Sequence, residues 1–411
     1  MSLEQAEAAY DSEPDEARRL AQAVFDDKST AGDAKDKEGA LVLLGRLAAK
    51  KHDAAELQNV IRSSQAYLTV IAKAKTAKLI RRLIDLFGDI PGSSRQQVDI
   101  TKEFIEWART ERRVFLRQSL ETRLIAFYLD SGNHREAIKL VETLLKELRR
   151  LDDKIVLTEV HLLECRAHYA LGNTPKAKAA LTSARTAANA IYCPPNLQNQ
   201  LDLQSGILHA GDKDYTTAFS YLFEAMEGFS TQDDPRASQA LKYMLLCKIM
   251  LSLPADVTSI IQSKLAQRYA GKDVDAMKAV AIAHENRSLS EFERVLQTYK
   301  SELSQDAIIK NHLAALYDTL LEQNLLKVVE PYSKIELEYI AQSVQQPTRE
   351  IESKISQLIL DKKLFAIIDQ GSGCLEVFDE PQSDVTYDVA LDTLKQVGQV
   401  VDTLYAKAMK L

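Results

Sequence analysis

The residues with most capacity for chemistry lie on one helical segment, where His161, Glu164, Cys165 and His168 follow one another at helical spacing. Imidazole, carboxylate and thiolate are the usual ligands of a divalent cation. Seven residues separate the two histidines, however, which is about 10 Å along a helix axis. An ion held about 2 Å from each nitrogen does not span that gap. Cys165 lies within reach of either histidine, and two ligands do not make a metal site, so packing between helices is the reading taken for this face. Other catalytic patterns are missing. Gly271-Lys272 has no upstream glycine and is followed by Asp273, so it forms no phosphate cradle. No G-x-S-x-G elbow, H-x-H or H-E-x-x-H occurs, and Cys165, Cys193, Cys247 and Cys374 form no C-x-x-C. The expectation is a chain without catalytic residues, metal or cofactor.

Charge and apolar patterning offer binding chemistry instead. Lys73, Lys75, Lys78, Arg81 and Arg82 form one basic cluster, and Arg109, Arg112, Arg113 and Arg117 a second. Charge runs on helices are usually solvated faces. The sharper reading is docking onto acidic surfaces, with the charges steering association, and the first cluster is the favoured one. Near the other end, Tyr387, Ala390, Leu394, Val397, Val401, Leu404, Ala408 and Leu411 are spaced alternately by three and four, a heptad seam. Such a seam wants another helix, and Leu394, Val397, Val401 and Leu404 are its candidate partner-binding residues.

The elements that position these groups are helical. Leu41, Leu44, Leu47 and Ala48 make one apolar stripe, and Leu79, Leu83, Leu86 and Phe87 another. Breaks between stripes are short, and the longest polar stretch, Asp26 to Gly39, reads as a mobile loop. Ala137, Ala177 and Ala218 recur at intervals of 40 and 41, each within a segment carrying large apolar residues, the first two with Gly132 and Gly172 in the preceding turn. These are tetratricopeptide-like positions with helices longer than the standard 34-residue repeat allows, and units that cannot bury their apolar faces alone must stack into a curved solenoid. Beyond residue 300 the stripe through Leu313, Leu316 and Leu320 continues, followed by two shorter helices, SKIELEYIAQSV and TREIESKISQLIL. Phe365 to Ile368 and Leu375 to Phe378 then read as a hairpin turning at Gly371 and Gly373. Three helices and a hairpin make a winged helix, and the edge of such a hairpin, with Leu375 and Val377 as candidates, can be completed by another chain's strand.

Composition agrees. Among 411 residues only 14 are Gly and 10 are Pro, too few for many tight β turns, so the fold class is mainly α. The net charge of −7 gives no general pull toward phosphate or anionic lipid. The segment from Ser333 to Pro381 carries five basic and nine acidic side chains, which should repel DNA. No apolar run approaches the roughly 20 residues that cross a bilayer, and the acidic N-terminus has no signal-peptide core. The expectation is a protein of cytoplasm and nucleus that binds neither nucleic acid nor membrane.

Solenoid, winged helix and terminal helix, in that order, resemble the PCI-domain family, which supplies scaffold subunits to the proteasome lid, the signalosome and translation initiation factor three. The strings ALTSARTAANAIYCPP (Ala180 to Pro195), LKYMLLCKIML (Leu241 to Leu251), LAQRYAG (Leu265 to Gly271), LYDTLLEQNLLKVVEPYSKIELEYIA (Leu316 to Ala341) and LILDKKLFAIIDQG (Leu358 to Gly371) are similar to its proteasome-lid branch. The resemblance is dense in the second half, weaker back to about residue 40, and not close in the first 40 residues. It implies a right-handed tetratricopeptide-like solenoid over 1–215, a PCI domain over 216–381 (helical repeats to about 304, winged helix about 305–381) and a bundling helix over 384–411. It also implies a non-catalytic brace in ubiquitin-dependent degradation. The solenoid would touch an ATPase-ring subunit and a core-particle α-ring subunit, and the winged helix would join the other lid PCI subunits. A paralogous scaffold of the signalosome is the alternative.

Overall fold

The computed structural model describes residues 14–26, 34–68, 73–269, 271–304, 306–344, 346–379 and 385–409. The chain divides into two compact units, one ending at Cys247 and the other beginning at Lys248. The first is built of α1 (Pro14–Asp26), α2 (Ala34–Lys50), α3 (Ala54–Leu68), α4 (Lys73–Asp85), α5 (Ser94–Thr110), α6 (Val114–Asp130), α7 (His134–Leu151), α8 (Lys154–Ala170), α9 (Thr174–Asn189), α10 (Pro195–Gly211), α11 (Tyr215–Thr231) and most of α12 (Arg236–Met250). A 3-10 turn at Leu86–Asp89 separates α4 from α5. The expected loop from Asp26 to Gly39 is corrected in part, because Ala34 to Gly39 are the first turns of α2; residues 27–33 lie outside the described residues. Ala, Lys and Glu are good helix formers whatever their polarity, and Asp36 in the first turn complements the helix dipole.

The interval of 40 residues has a local cause. Helices α5 to α11 are each 16 to 18 residues long and joined by short turns. Most joints use one device, a residue of left-handed backbone followed by a short polar cap: His52-Asp53, Gly132-Asn133, Asp152-Asp153, Gly172-Asn173, Lys213-Asp214, Asp233-Asp234. The first residue ends one helix. At five of the six the second starts the next by accepting from its free N–H groups: Asp53 from Ala55 and Glu56, Asp153 from Val156, Asn173 from Lys176, Asp214 from Thr217 and Asp234 from Arg236, whereas the Asn133 amide donates to Ser131 Oγ instead.

Between the joints, apolar faces stack into continuous core. Phe87, Phe104, Leu120, Leu144 and Val160 belong to one buried cluster, and Cys165, Ala177, Ala184 and Leu201 to the next. The recurring alanines, Ala137, Ala177 and Ala218, are all fully buried. One close crossing is α10 on α11, where a side chain at Gly206 would put its Cβ 2.5 Å from Leu222 Cγ. Gly206→Ala is therefore expected to cost about 1–3 kcal/mol of stability by overpacking, read by urea unfolding; an unchanged midpoint would show that this crossing has slack. Polar ties stiffen the same region. Arg185 donates to Asp202 Oδ1 at 2.9 Å and lies over the Tyr221 ring at 4.4 Å, linking α9, α10 and α11.

The second unit continues with α13 (Pro254–Gln262), α14 (Lys264–Arg268), α15 (Lys272–Glu285), α16 (Leu289–Thr298), α17 (Lys300–Ser304) and α18 (Ala307–Val329). Then come β1 (Lys334–Glu336), α19 (Leu337–Val344), α20 (Thr348–Leu360), β2 (Ala366–Asp369), β3 (Cys374–Val377) and α21 (Val385–Ala408). The sheet is antiparallel with order β1-β3-β2, so the hairpin strand β3 is central. This corrects the reading of SKIEL as helix. Lys334–Glu336 is a strand because it pairs with β3, Ile335 opposite Leu375, and the helix begins only at Leu337.

Candidate functional site

The first basic cluster sits on α4. Lys75 pairs with Glu38 of α2 at 3.3 Å, and Arg81 Nε donates to the Ala77 carbonyl at 3.1 Å. Arg81 also faces the next helices, where its charge and that of Arg123 oppose the burial that raises the Glu159 carboxyl. Lys78 and Arg82 instead line an open cleft of about 310 Å³ between α2 and α4, joined there by Arg46. The side chain of Lys73 lies outside the described residues. Sequence reasoning missed Arg46, because only the packing of α2 on α4 brings it to this cleft.

The second basic cluster is engaged within its own surface. Arg109 pairs with Glu106 at 3.0 Å, Arg113 lies over the Trp107 ring at 5.0 Å, and Arg117 pairs with Glu121 and Glu147. Arg112 is exposed, at the end of the turn into α6.

In the winged helix, Leu375 is fully buried and Val377 half-buried, both on the central strand. The expectation that these two line an open edge is corrected, since β1 occupies the side that a two-stranded hairpin would leave free. Among the described residues the open edges are β1 and β2. On β2 the Ile367 side chain is 58% exposed, and beside β1 the exposed Tyr332 and Tyr339 rings meet edge-on at 6.2 Å. Across the β1–β3 register Lys334 Nζ is 2.9 Å from Glu376, a hydrogen bond that raises the lysine's pKa.

Helix α21 carries the heptad seam, and among the described residues nothing covers it. Every side chain described from Thr386 to Met409 is exposed, and Leu394, Val397, Val401 and Leu404 are each more than half exposed. Leu411, the last seam position, lies outside the described residues. Leu391, Val400 and Tyr405, also exposed, flank the seam and broaden it. A two-stranded coiled coil needs only the narrow seam; a face this wide suits a helix covered from more than one side. Sequence reasoning followed the strict heptad and passed over the flanking residues, although their positions on either side of it were readable.

The residues first considered for metal are packed otherwise. His161 Nδ1 is 2.8 Å from Glu164, His161 and His168 are buried, and Cys165 lies in the repeat core. Burial pushes the Cys165 thiol up to about 12, and that of Cys247 likewise, so both are protonated thiols at neutral pH. Among the described residues, no helix is long and apolar enough to cross a membrane.

Known proteins match this arrangement from end to end. Residues 1–131 match the 26S proteasome regulatory subunit RPN6 N-terminal domain, 296–379 the PCI domain, and 383–409 the 26S proteasome subunit RPN6 C-terminal helix domain. The chain is 52% identical over 372 residues to the probable 26S proteasome regulatory subunit rpn6 of Schizosaccharomyces pombe, covering 90% of this chain and 88% of that one. It is 48% identical over 405 residues to the 26S proteasome non-ATPase regulatory subunit 11 homolog of Arabidopsis thaliana, covering 98% and 96%. To the 26S proteasome regulatory subunit RPN6 of Saccharomyces cerevisiae it is 43% identical over 381 residues, covering 92% and 88%. Repeat joints, winged helix, uncovered terminal helix and these relatives agree: the chain belongs to the RPN6, or non-ATPase subunit 11, family of 26S proteasome regulatory subunits, whose members carry a PCI domain.

Proposed function

We propose that this proteasome subunit is a non-catalytic scaffold of the regulatory-particle lid, bracing lid, ATPase ring and core particle during ubiquitin-dependent protein degradation in cytoplasm and nucleus. The observation that carries the reading is α21, about 36 Å of helix at 1.5 Å per residue, with a broad apolar face left uncovered among the described residues. A face of this kind is completed by helices of other chains. In this reading α21 enters a bundle with other lid subunits, and the open edges β1 and β2 meet neighbouring PCI subunits. The cationic face of α4 docks on an ATPase-ring or core-particle α-ring subunit. Splitting attachment among three elements raises the effective concentration of each contact once one has formed.

The test is recovery of the tagged chain from cells. Lid, ATPase and core subunits of the proteasome should co-purify in equal amounts. Recovery with signalosome subunits instead, or as a free monomer, would overturn the proposal.

A further inference from the structure

We propose that the cleft between α2 and α4 binds an acidic peptide segment that carries one large apolar side chain. The inference rests on reading α4 as a docking face and goes beyond it in naming a pocket, its ligand class and Arg46 as a member. The floor is apolar, formed by Val42, Leu43 and Leu79, each buried against its own helices. The rim is cationic: Arg46, Lys78 and Arg82 are exposed, and none forms an ion pair among the described residues. Three like charges gathered on one cleft repel one another, and an anionic ligand relieves that repulsion. The cleft, at about 310 Å³, is wide enough to admit a side chain rather than merely attract a surface.

Two features choose a peptide over a nucleic acid. An apolar floor offers nothing to a phosphodiester backbone. Glu38, beside Lys75 on the same cleft, would also repel a continuous line of phosphates, whereas a peptide can alternate carboxylate and apolar groups to match both rim and floor. The guanidinium groups of Arg46 and Arg82 present paired N–H donors to carboxylates, and Lys78 adds a point charge between them in sequence.

Fluorescence anisotropy on the full-length chain tests this, using a labelled nonapeptide of Asp and Glu with one central Leu. Binding should weaken as salt rises. It should fall about tenfold or more in the Arg46→Glu, Arg82→Glu double variant, and by a similar factor when the central Leu is replaced by Ser. Arg349→Glu, an exposed change in the other unit, should leave it unaltered. Circular dichroism checks the fold of the double variant, and Lys78→Ala, expected to weaken binding severalfold, replaces it if folding fails. Equal binding by wild type and variants would overturn the proposal, as would indifference to the central Leu with equal competition by RNA or inositol hexakisphosphate. A chain that co-purifies with the proteasome yet ignores the peptide sinks the cleft alone; one that binds the peptide but is never recovered with proteasome sinks only the scaffold reading.

Discussion

Truncation after Thr386 is expected to abolish incorporation into the lid while leaving the melting temperature of the isolated chain unchanged. The described side chains beyond that point are exposed, so their loss removes no core. Assembly would lose the burial of Leu394, Val397, Val401 and Leu404. At about 1.5 kcal/mol each that is about 6 kcal/mol, or roughly four decades in affinity. Thermal unfolding of the purified variant and its recovery in lid from cells measure the two halves. A truncated chain that still enters the lid would show that α21 is not the anchor, and a large fall in melting temperature would show that it packs on its own chain. Leu394→Asp with Leu404→Asp should reproduce the assembly defect without shortening the helix.

Leu375→Ala is expected to have the opposite signature, costing about 2–5 kcal/mol of stability, because it removes a fully buried leucine from the central strand of a three-stranded sheet. Ile367→Ala, on the open edge β2 with more than half of its side chain in water, should cost well under 1 kcal/mol. Urea unfolding of the two variants compares them directly. Equal losses would mean that β2 is covered and β3 is not the centre of the sheet, against the observed register.

These two residues also mark the limit of what could be read from the sequence. Both lie in an apolar run flanking Gly371 and Gly373, so the hairpin itself was legible. Which strand is central was not, because that depends on Ile335 pairing with Leu375 across 40 residues. Lys334 to Glu336 leads into a strongly periodic helix, and local pattern cannot separate three residues of strand from the helix that follows. The repeats were legible for the converse reason. Their period follows from local events, a left-handed residue, an Asx cap and a helix of about 17 residues, and their crossings from small residues such as Ala177 and Ala218.

The basic clusters show the same division. Charge was visible at Lys75, Lys78, Arg81 and Arg82, and equally at Arg109, Arg113 and Arg117. Glu106 and Glu121 stand at helical spacing from Arg109 and Arg117, so their pairing was readable, but only packing brings Glu147 to Arg117 and joins Lys78 and Arg82 to Arg46 at an open cleft. The terminal seam lies between these cases. Its heptad was read directly, whereas the absence of any cover, which turns a pattern into a docking element, is a property of the folded chain.

The central claim is that this subunit works as a connector, its terminal helix and sheet edges completed by neighbours. Its most direct test is acute depletion of the chain from growing cells, followed by native-gel resolution of free core particles and core particles carrying the regulatory particle. Capped particles are expected to decline and free core particles to accumulate as the subunit disappears. Capped particles persisting in full, with undiminished degradation of ubiquitinated substrate, would contradict it.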